Sequence, residues 1–373
     1  MLDPNMVPSI DPNPLPAPFW VFKTLLLVTF FLHIVAMNFM LGGALMAVAA
    51  WFKQRGNSYG SRLFFDLAKK IPVLLAATIS LGIAPLLFLQ VLYGQYFYTS
   101  SILLAWPWFL VIVLLIAAYY GFYFVSYRGQ RKPRAAGRVM LFSTTLVLII
   151  GFIYTNNITL GLAPSRWAEK YFSGGATGWN LNLSEPTLIP RYLHFMVSAV
   201  AMGGLLLVLM AWAKWKQDEP YARQIFHFGG KAFQYATMAQ FVVGFWFLFS
   251  LPRPLRTIFL GDNPLATILL SFGLAGTIAS ILLMSEALRH QNIRLAAFGV
   301  TSLTGLIVLS MTGMRDILRD GYLKPYFHPE QMAVKTQVSP MFLFLGLFVV
   351  GIALWFAMLW RYGLFRRASA PEQ

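Results

Sequence analysis

Residues 30–53 read FFLHIVAMNFMLGGALMAVAAWFK, and residues 191–214 read RYLHFMVSAVAMGGLLLVLMAWAK. Each stretch has one His, a Gly-Gly pair nine and ten residues further on, and a closing Trp and Lys. Neither contains an acidic residue, and both exceed the roughly 20 apolar residues that a helix needs to cross a bilayer. The two stretches therefore predict a pair of equivalent membrane-spanning helices, offset by 161 residues.

Apolar segments of this kind recur along the whole chain of 373 residues. Only 11% of the residues are charged, against about 25% in a soluble domain. Because backbone groups in lipid must be hydrogen-bonded within the segment, long apolar segments indicate helices. The sequence therefore predicts an all-α, polytopic membrane helix bundle with about nine transmembrane helices. The predicted segments are 19–52, 72–93, 102–126, 139–161, 190–213, 232–251, 265–287, 295–314 and 338–360.

The internal repeat extends beyond the first and fifth segments. Gly82 follows His33 by 49 residues and Gly244 follows His194 by 50, so the second and sixth segments keep nearly the same register. Because four helices are an even number, two such units have the same orientation and are related by an axis along the membrane normal. We expect two parallel four-helix units plus one helix. The predicted order is a periplasmic N-terminal segment (1–18), the first unit (19–161), a periplasmic loop (162–189), the second unit (190–314), a periplasmic loop (315–337), and a ninth helix with a cytoplasmic tail (338–373).

The distribution of basic residues predicts the orientation of the chain. The net charge is +16, and 19 of the 29 Lys and Arg residues fall in one alternating set of loops that includes the C-terminal tail. Basic residues concentrate on the cytoplasmic side of membrane proteins. We therefore expect a multi-pass protein of a bacterial inner membrane, with the N-terminus outside and the C-terminus inside. Topology and attraction to the lipid bilayer then account for the positive charge, and no nucleic-acid partner is expected.

The two matched histidines are the candidate metal ligands. The chain has no cysteine, which excludes thiolate metal sites and covalently attached haem. A polar residue at membrane depth favours a functional interpretation, and a haem needs an axial imidazole in an apolar slot. His33 and His194 fit that description, either each with its own haem or both with one. The alternative interpretation is a histidine that packs between helices and is hydrogen-bonded to a carbonyl oxygen.

Further residues are candidates for cofactor binding. Arg315 and Arg319 are four residues apart and could bind a haem propionate, because paired Arg–carboxylate contacts suit that task; a local salt-bridge network with the neighbouring aspartates is the alternative. Asn38 is expected beside His33, where it could hydrogen-bond a haem or a helix neighbour. Small residues give a macrocycle room and also allow close helix packing; those after the two histidines are Gly42, Gly43, Gly203 and Gly204.

These residues resemble subunit I of the cytochrome bd oxidase family. In that family a haem-ligating His of the first span is followed by Leu-Gly, as His33 is by Leu41 and Gly42, and a haem-ligating His of the fifth span resembles His194. The stretches LFLQVLYGQYFYTSS (87–101) and RDGYLKPYF (319–327) are similar to two further family motifs, a Gln-Phe-Gly-Thr-Asn-Trp stretch and a Gly-Arg-Gln-Pro-Trp stretch. The resemblance implies a haem-b membrane protein of a respiratory chain.

The sequence departs from the family where oxygen reduction needs acidic residues. The third segment, AWPWFLVIVLLIAAYYGFYF (105–124), lacks the family's membrane glutamates, and Asp316 and Asp320 stand near the eighth segment where the family has Glu. We therefore predict an electron-transfer subunit with one or two haem b groups, with a quinone as a further candidate cofactor. Expected partners are other membrane or periplasmic redox subunits such as a cytochrome c. The alternatives are a haem-free scaffold subunit, a genuine quinol oxidase subunit, and a transporter built on a parallel repeat.

Overall fold

The computed structural model describes residues 8, 13–53, 58–173, 175–328 and 332–362. Most of the predicted N-terminal segment and the predicted cytoplasmic tail from residue 363 lie outside the described residues. The helices are α1 (Phe19–Lys53), α2 (Ser58–Leu103), α3 (Ala105–Arg128), α4 (Pro133–Gly161), α5 (Trp167–Ser173), α6 (Leu188–Lys214), α7 (Glu219–Ser250), α8 (Arg253–Thr257), α9 (Pro264–Arg289), α10 (Thr301–Leu323) and α11 (Val338–Tyr362).

The predicted all-α membrane bundle is confirmed. Among the described residues, eight helical stretches are long and apolar enough to cross a membrane, and no strand is present. They comprise α1, α2, α3, α4, α6, α7, α9, and α10 with the π-helical turn Leu295–Val300 that precedes it. The ninth predicted segment forms α11, whose apolar stretch Val338–Leu354 is shorter. The chain is a multi-pass membrane protein.

Several helices run well beyond the predicted apolar segments. α2 begins at Ser58 and ends at Leu103, and α7 begins at Glu219. The described residues between the first and second predicted segments, and those between the fifth and sixth, are therefore largely helical. An apolar window marks the part of a helix that lies in hydrocarbon, whereas the helix itself continues into water as long as its backbone bonds are favourable. α10 likewise continues beyond the eighth predicted segment to Leu323 and buries Asp316 and Arg319.

Equivalent residues of the two predicted four-helix units meet where α1 packs against α6. Gly42 and Gly203, which are equivalent residues, contact each other, since a Cβ on Gly42 would lie 2.5 Å from the backbone nitrogen of Gly203. Tyr59 and Tyr221, which are also equivalent, meet edge to face with ring centroids 5.8 Å apart. Contact between equivalent positions is what a twofold relation of the two predicted units would produce, and that relation stays a prediction. In each unit the first two helices form the most extensive pair, α1 with α2 and α6 with α7.

Candidate cofactor site

His33 lies on α1 and packs against α2. Its Nδ1 atom is 3.1 Å from the carbonyl oxygen of Thr78, and because a carbonyl oxygen only accepts, Nδ1 carries the proton. The ring lies over Gly82, where a Cβ would be 2.9 Å from Cε1 of the imidazole. A histidine whose Nδ1 donates to a carbonyl has its Nε2 lone pair available for a metal. The glycine therefore provides the space, and the carbonyl sets the tautomer.

A cavity of about 160 Å³ adjoins His33. Its wall includes Gly82, Tyr93 and Tyr96 of α2, and α2 departs from helical geometry at Tyr93 (φ −134°, ψ 31°). The departure separates the C-terminal end of α2 from the rest of the helix, and Phe97 in that end forms a further part of the cavity wall. We call this space the His33 cavity.

A second cavity, of about 240 Å³, adjoins His194 on α6. His194 lies beside Gly244 of α7 at an ordinary contact distance, since a Cβ on that glycine would be 3.4 Å from Cε1 of the ring. This repeats the pairing of His33 with Gly82 in the first unit. The Nδ1 atom of His194, however, has no hydrogen-bond partner among the described residues. We call this space the His194 cavity.

Other buried polar atoms of the His194 cavity also lack partners within the described part of the chain. Asn38 Oδ1, Thr237 Oγ1 and Gln240 Oε1 are unpaired, and so are the Nε and Nη2 atoms of Arg191. Buried polar groups are nearly always hydrogen-bonded, because each unpaired one costs about 1–3 kcal/mol. Five polar residues with unpaired atoms around one cavity, counting His194, therefore favour a ligand with polar groups of its own.

Two arginines lie between the cavities. Arg191 and Arg315 line both of them, as does the ring of Phe30. The guanidinium of Arg315 stacks on Phe30 at 4.1 Å, and that of Arg191 lies 4.8 Å from the ring centroid of Phe247. Neither arginine forms an ion pair with a carboxylate of residues 13–53, 58–173, 175–328 or 332–362. A buried cation, Arg191, next to a half-buried one, Arg315, favours an anionic ligand between the histidines.

Arg319 has a different environment from Arg315. It pairs with Asp316, and its Nη2 atom donates to the hydroxyl of Tyr93 at 3.0 Å. Lys23 of α1 lies 3.2 Å from Asp316, and the Tyr93 hydroxyl donates to Asp320 at 3.0 Å. Arg319 is thus engaged in a salt-bridge network at the C-terminal end of α10, which was the alternative interpretation. Only Arg315 of the predicted pair lacks a carboxylate.

The four predicted glycines lie at helix crossings and line neither cavity. Gly42 and Gly203 bring α1 and α6 into backbone contact, and a Cβ on Gly204 would lie 2.5 Å from the carbonyl oxygen of Gly229 on α7. Gly43 faces the side chain of Leu206. The structure therefore gives them a packing role, and direct contact with a cofactor stays a prediction.

Asn38 also lies elsewhere than expected. It is buried, but it lines the His194 cavity and not the His33 cavity. The reason is helical spacing: Phe30, Ile34 and Asn38 form an i, i+4 stripe that faces the second unit, whereas His33 faces α2.

The remaining histidines that the structure describes in detail are away from both cavities. Nε2 of His227 is 2.7 Å from the side-chain amide of Gln291, and His290 pairs with Glu286 at 3.1 Å on the surface. No group of three metal-ligating side chains of the His, Cys, Asp or Glu type occurs in the described ranges. A haem iron needs fewer than three protein ligands, so the absence of such a group bears on other metal ions and not on haem.

The sequence analysis missed Arg191, Thr237 and Gln240 as site residues. Their signal was nonetheless present, since each is a polar residue within or at the start of an apolar segment, where polar side chains favour a functional interpretation. Arg191 also lies one turn before His194 on the same helix, so both side chains reach the same region.

The residues present fit a haem. Each cavity has an imidazole at an apolar wall, and the arginines between the cavities lack the carboxylates that propionates would supply. The unpaired atoms of Arg191 carry this conclusion, since a guanidinium pairs well with a carboxylate.

Comparison with known proteins gives the fold. No family model matches the chain, and no curated protein matches it. A solved structure, the bd oxidase from Geobacillus thermodenitrificans, superposes with a TM-score of 0.69 at 13% sequence identity. The match covers 93% of this chain and 99% of the other. The chain therefore has a fold similar to that of a bd oxidase chain, as the sequence resemblance predicted, and at this identity the match shows the fold alone.

Proposed function

We propose that this chain is a haem-b electron-transfer subunit of a respiratory redox complex and a divergent member of the cytochrome bd oxidase subunit I family. The observation that supports this proposal best is the pair of arginines Arg191 and Arg315. They lie between two cavities, each lined by one of the matched histidines, and neither forms an ion pair with a carboxylate of the described residues. A haem bound there would carry one electron at a time.

The chain's own residues would hold the haem as follows. Nε2 of His33 would ligate the iron in its cavity, because Nδ1 is held by the carbonyl of Thr78. His194 would be the ligand in the other cavity. Arg191 and Arg315 would bind the propionates, and Phe30 lies between the two spaces.

Part of the proposal concerns the setting of the subunit. It includes a bacterial inner membrane, an N-terminus outside, and electron exchange with a quinol pool or with a membrane or periplasmic partner such as a cytochrome c. The net positive charge of the loops predicted to be cytoplasmic supports the orientation. Fusion of a reporter enzyme to each terminus measures it directly.

The test is the visible spectrum and haem content of the purified full-length chain. A reduced-minus-oxidised b-type band is expected in the wild type, with loss of haem in His33→Ala and His194→Ala. If each cavity holds its own haem, each variant loses about half of the haem; if both histidines ligate one haem, either variant loses all of it. His227→Ala and His290→Ala are matched controls, because both side chains lie outside the cavities.

Two results would contradict the proposal. A folded, haem-supplemented preparation without any haem band supports the scaffold alternative. Oxygen consumption by the assembled complex that is lost in both histidine variants supports the genuine quinol oxidase, because the chain would then reduce oxygen without the family's membrane glutamates.

A further inference from the structure

A cluster of five basic residues lies where α3 ends and α4 begins. All five side chains are exposed, and the sequence has no acidic residue between Asp66 and Glu169 that could neutralise them locally. None of the five forms an ion pair within the described ranges. The cluster, which we call the α3–α4 basic patch, consists of Arg128, Arg131, Lys132, Arg134 and Arg138.

Some of the basic residues elsewhere at this end of the bundle are paired. Arg62 forms a salt bridge with Asp218 at 2.5 Å, and Lys214 lies 3.4 Å from Asp66. Arg223 pairs with a glutamate one turn earlier on α7 at 2.6 Å. The predicted topology explains why positive charge accumulates at this end, but it does not explain why one hairpin alone keeps five exposed charges without carboxylates.

A lipid-facing stripe of α3 leads to the basic patch. Ile112, Ile116 and Tyr120 follow one another at a spacing of four, so they share one face of the helix, and all three are more than half exposed. The rings of Tyr123 and Tyr127 stack 5.7 Å apart close to Arg128, and Tyr127 is 77% exposed. Tyrosine is enriched at the level of lipid headgroups, so the stripe changes from apolar to aromatic to cationic along a single helix.

We propose that the α3–α4 hairpin is a binding site for an anionic phospholipid. The headgroup phosphate pairs with the arginines of the patch, because guanidinium groups bind phosphate in paired hydrogen bonds. The acyl chains lie along α3 on the stripe that ends at Tyr120. The order of charge, aromatic ring and apolar surface matches the order of headgroup, interface and acyl chain in the lipid.

The experiment measures which lipids the full-length protein retains from vesicles that contain equal amounts of phosphatidylglycerol and phosphatidylcholine. The wild type is expected to enrich phosphatidylglycerol. The triple variant Arg128→Gln, Arg131→Gln, Arg134→Gln should lose most of this preference, because it removes three of the four guanidinium groups of the patch that can pair with the headgroup phosphate. The same three positions changed to Lys retain most of it, since the charge is kept.

A second triple variant is the control for overall charge. Lys216→Gln, Arg223→Gln, Lys231→Gln removes the same charge from exposed positions of α7 and its preceding loop, and it should bind like the wild type. The proposal is overturned if the α3–α4 variant keeps the wild-type lipid preference, or if the control variant loses as much. Inorganic phosphate that displaces the lipid completely at millimolar concentration would also overturn it, because the site would then be a free-anion site.

Discussion

Gly42→Ala should destabilise the protein far more than Gly43→Ala. A Cβ on Gly42 would lie 2.5 Å from the backbone nitrogen of Gly203 and closer still to the carbonyl oxygen of Ala199, and ordinary contact begins at 3.4 Å. The helices α1 and α6 would have to separate by about 0.9 Å or more, because backbone atoms cannot rotate away. Overpacking costs about 1–3 kcal/mol, and we expect the upper end of that range here.

Gly43 is the matched neighbour. A Cβ there would lie 2.9 Å from Cδ2 of Leu206, the flexible end of a side chain, which can move at little cost. We therefore expect a loss below about 1 kcal/mol for Gly43→Ala. Reversible unfolding in mixed micelles of mild detergent and dodecyl sulfate measures both variants. Equal stability of the two would refute the assignment of Gly42 to the axis between the repeats, and with it the packing interpretation of the glycine pair.

Three further outcomes are expected. Gly82→Ala should alter the haem band by pushing the imidazole off its carbonyl partner, whereas Gly244→Ala, at ordinary contact distance, should leave the spectrum unchanged. Asp316→Asn should lower the free energy of unfolding by about 3 kcal/mol in mixed micelles, because it removes the buried carboxylate next to Arg319 and leaves only Asp320, 3.8 Å away, to pair with that guanidinium. The pKa of Asp218 is lowered from 3.8 by its hydrogen bond from Arg62. Its stabilising contribution is thus full above that value and is lost as the pH falls through the lowered pKa; Asp218→Asn should abolish this part of the acid dependence of melting.

The fold could be predicted because its signals are local. Segment length, low charge and the repeated His and Gly-Gly spacing each depend on residues close together in the chain. The helix ends could not be predicted in the same way. α2 runs from Ser58 to Leu103 although its apolar segment covers only 72–93, because hydropathy reports the depth of the lipid and not where backbone hydrogen bonding stops.

The two units differ in the hydrogen bonds of their histidines, and the sequence repeat does not predict this difference. His33 and His194 are equivalent and each lies beside an equivalent glycine, yet only His33 has its Nδ1 hydrogen-bonded. The difference arises on the second helix of each unit. The backbone carbonyl of Thr78 accepts from His33, whereas Gln240 donates from its side chain to the carbonyl of His194 at 3.0 Å. A sequence repeat predicts equivalent positions, but not which hydrogen bonds the substituted residues make.

Arg315 and Arg319 show most clearly why the site needs three dimensions. One turn apart on α10, they are indistinguishable by spacing and residue type. Arg319 meets Tyr93 of α2 and shares Asp316 with Lys23, which is 296 residues away in the sequence. Arg315 stacks on the ring of Phe30 and lines both cavities, and it forms no ion pair within the described ranges. Since a cation inside the bundle without a paired counter-ion is unfavourable, Arg315 supports an anionic ligand, whereas Arg319, which is paired with Asp316, supports a fixed wall beside that ligand.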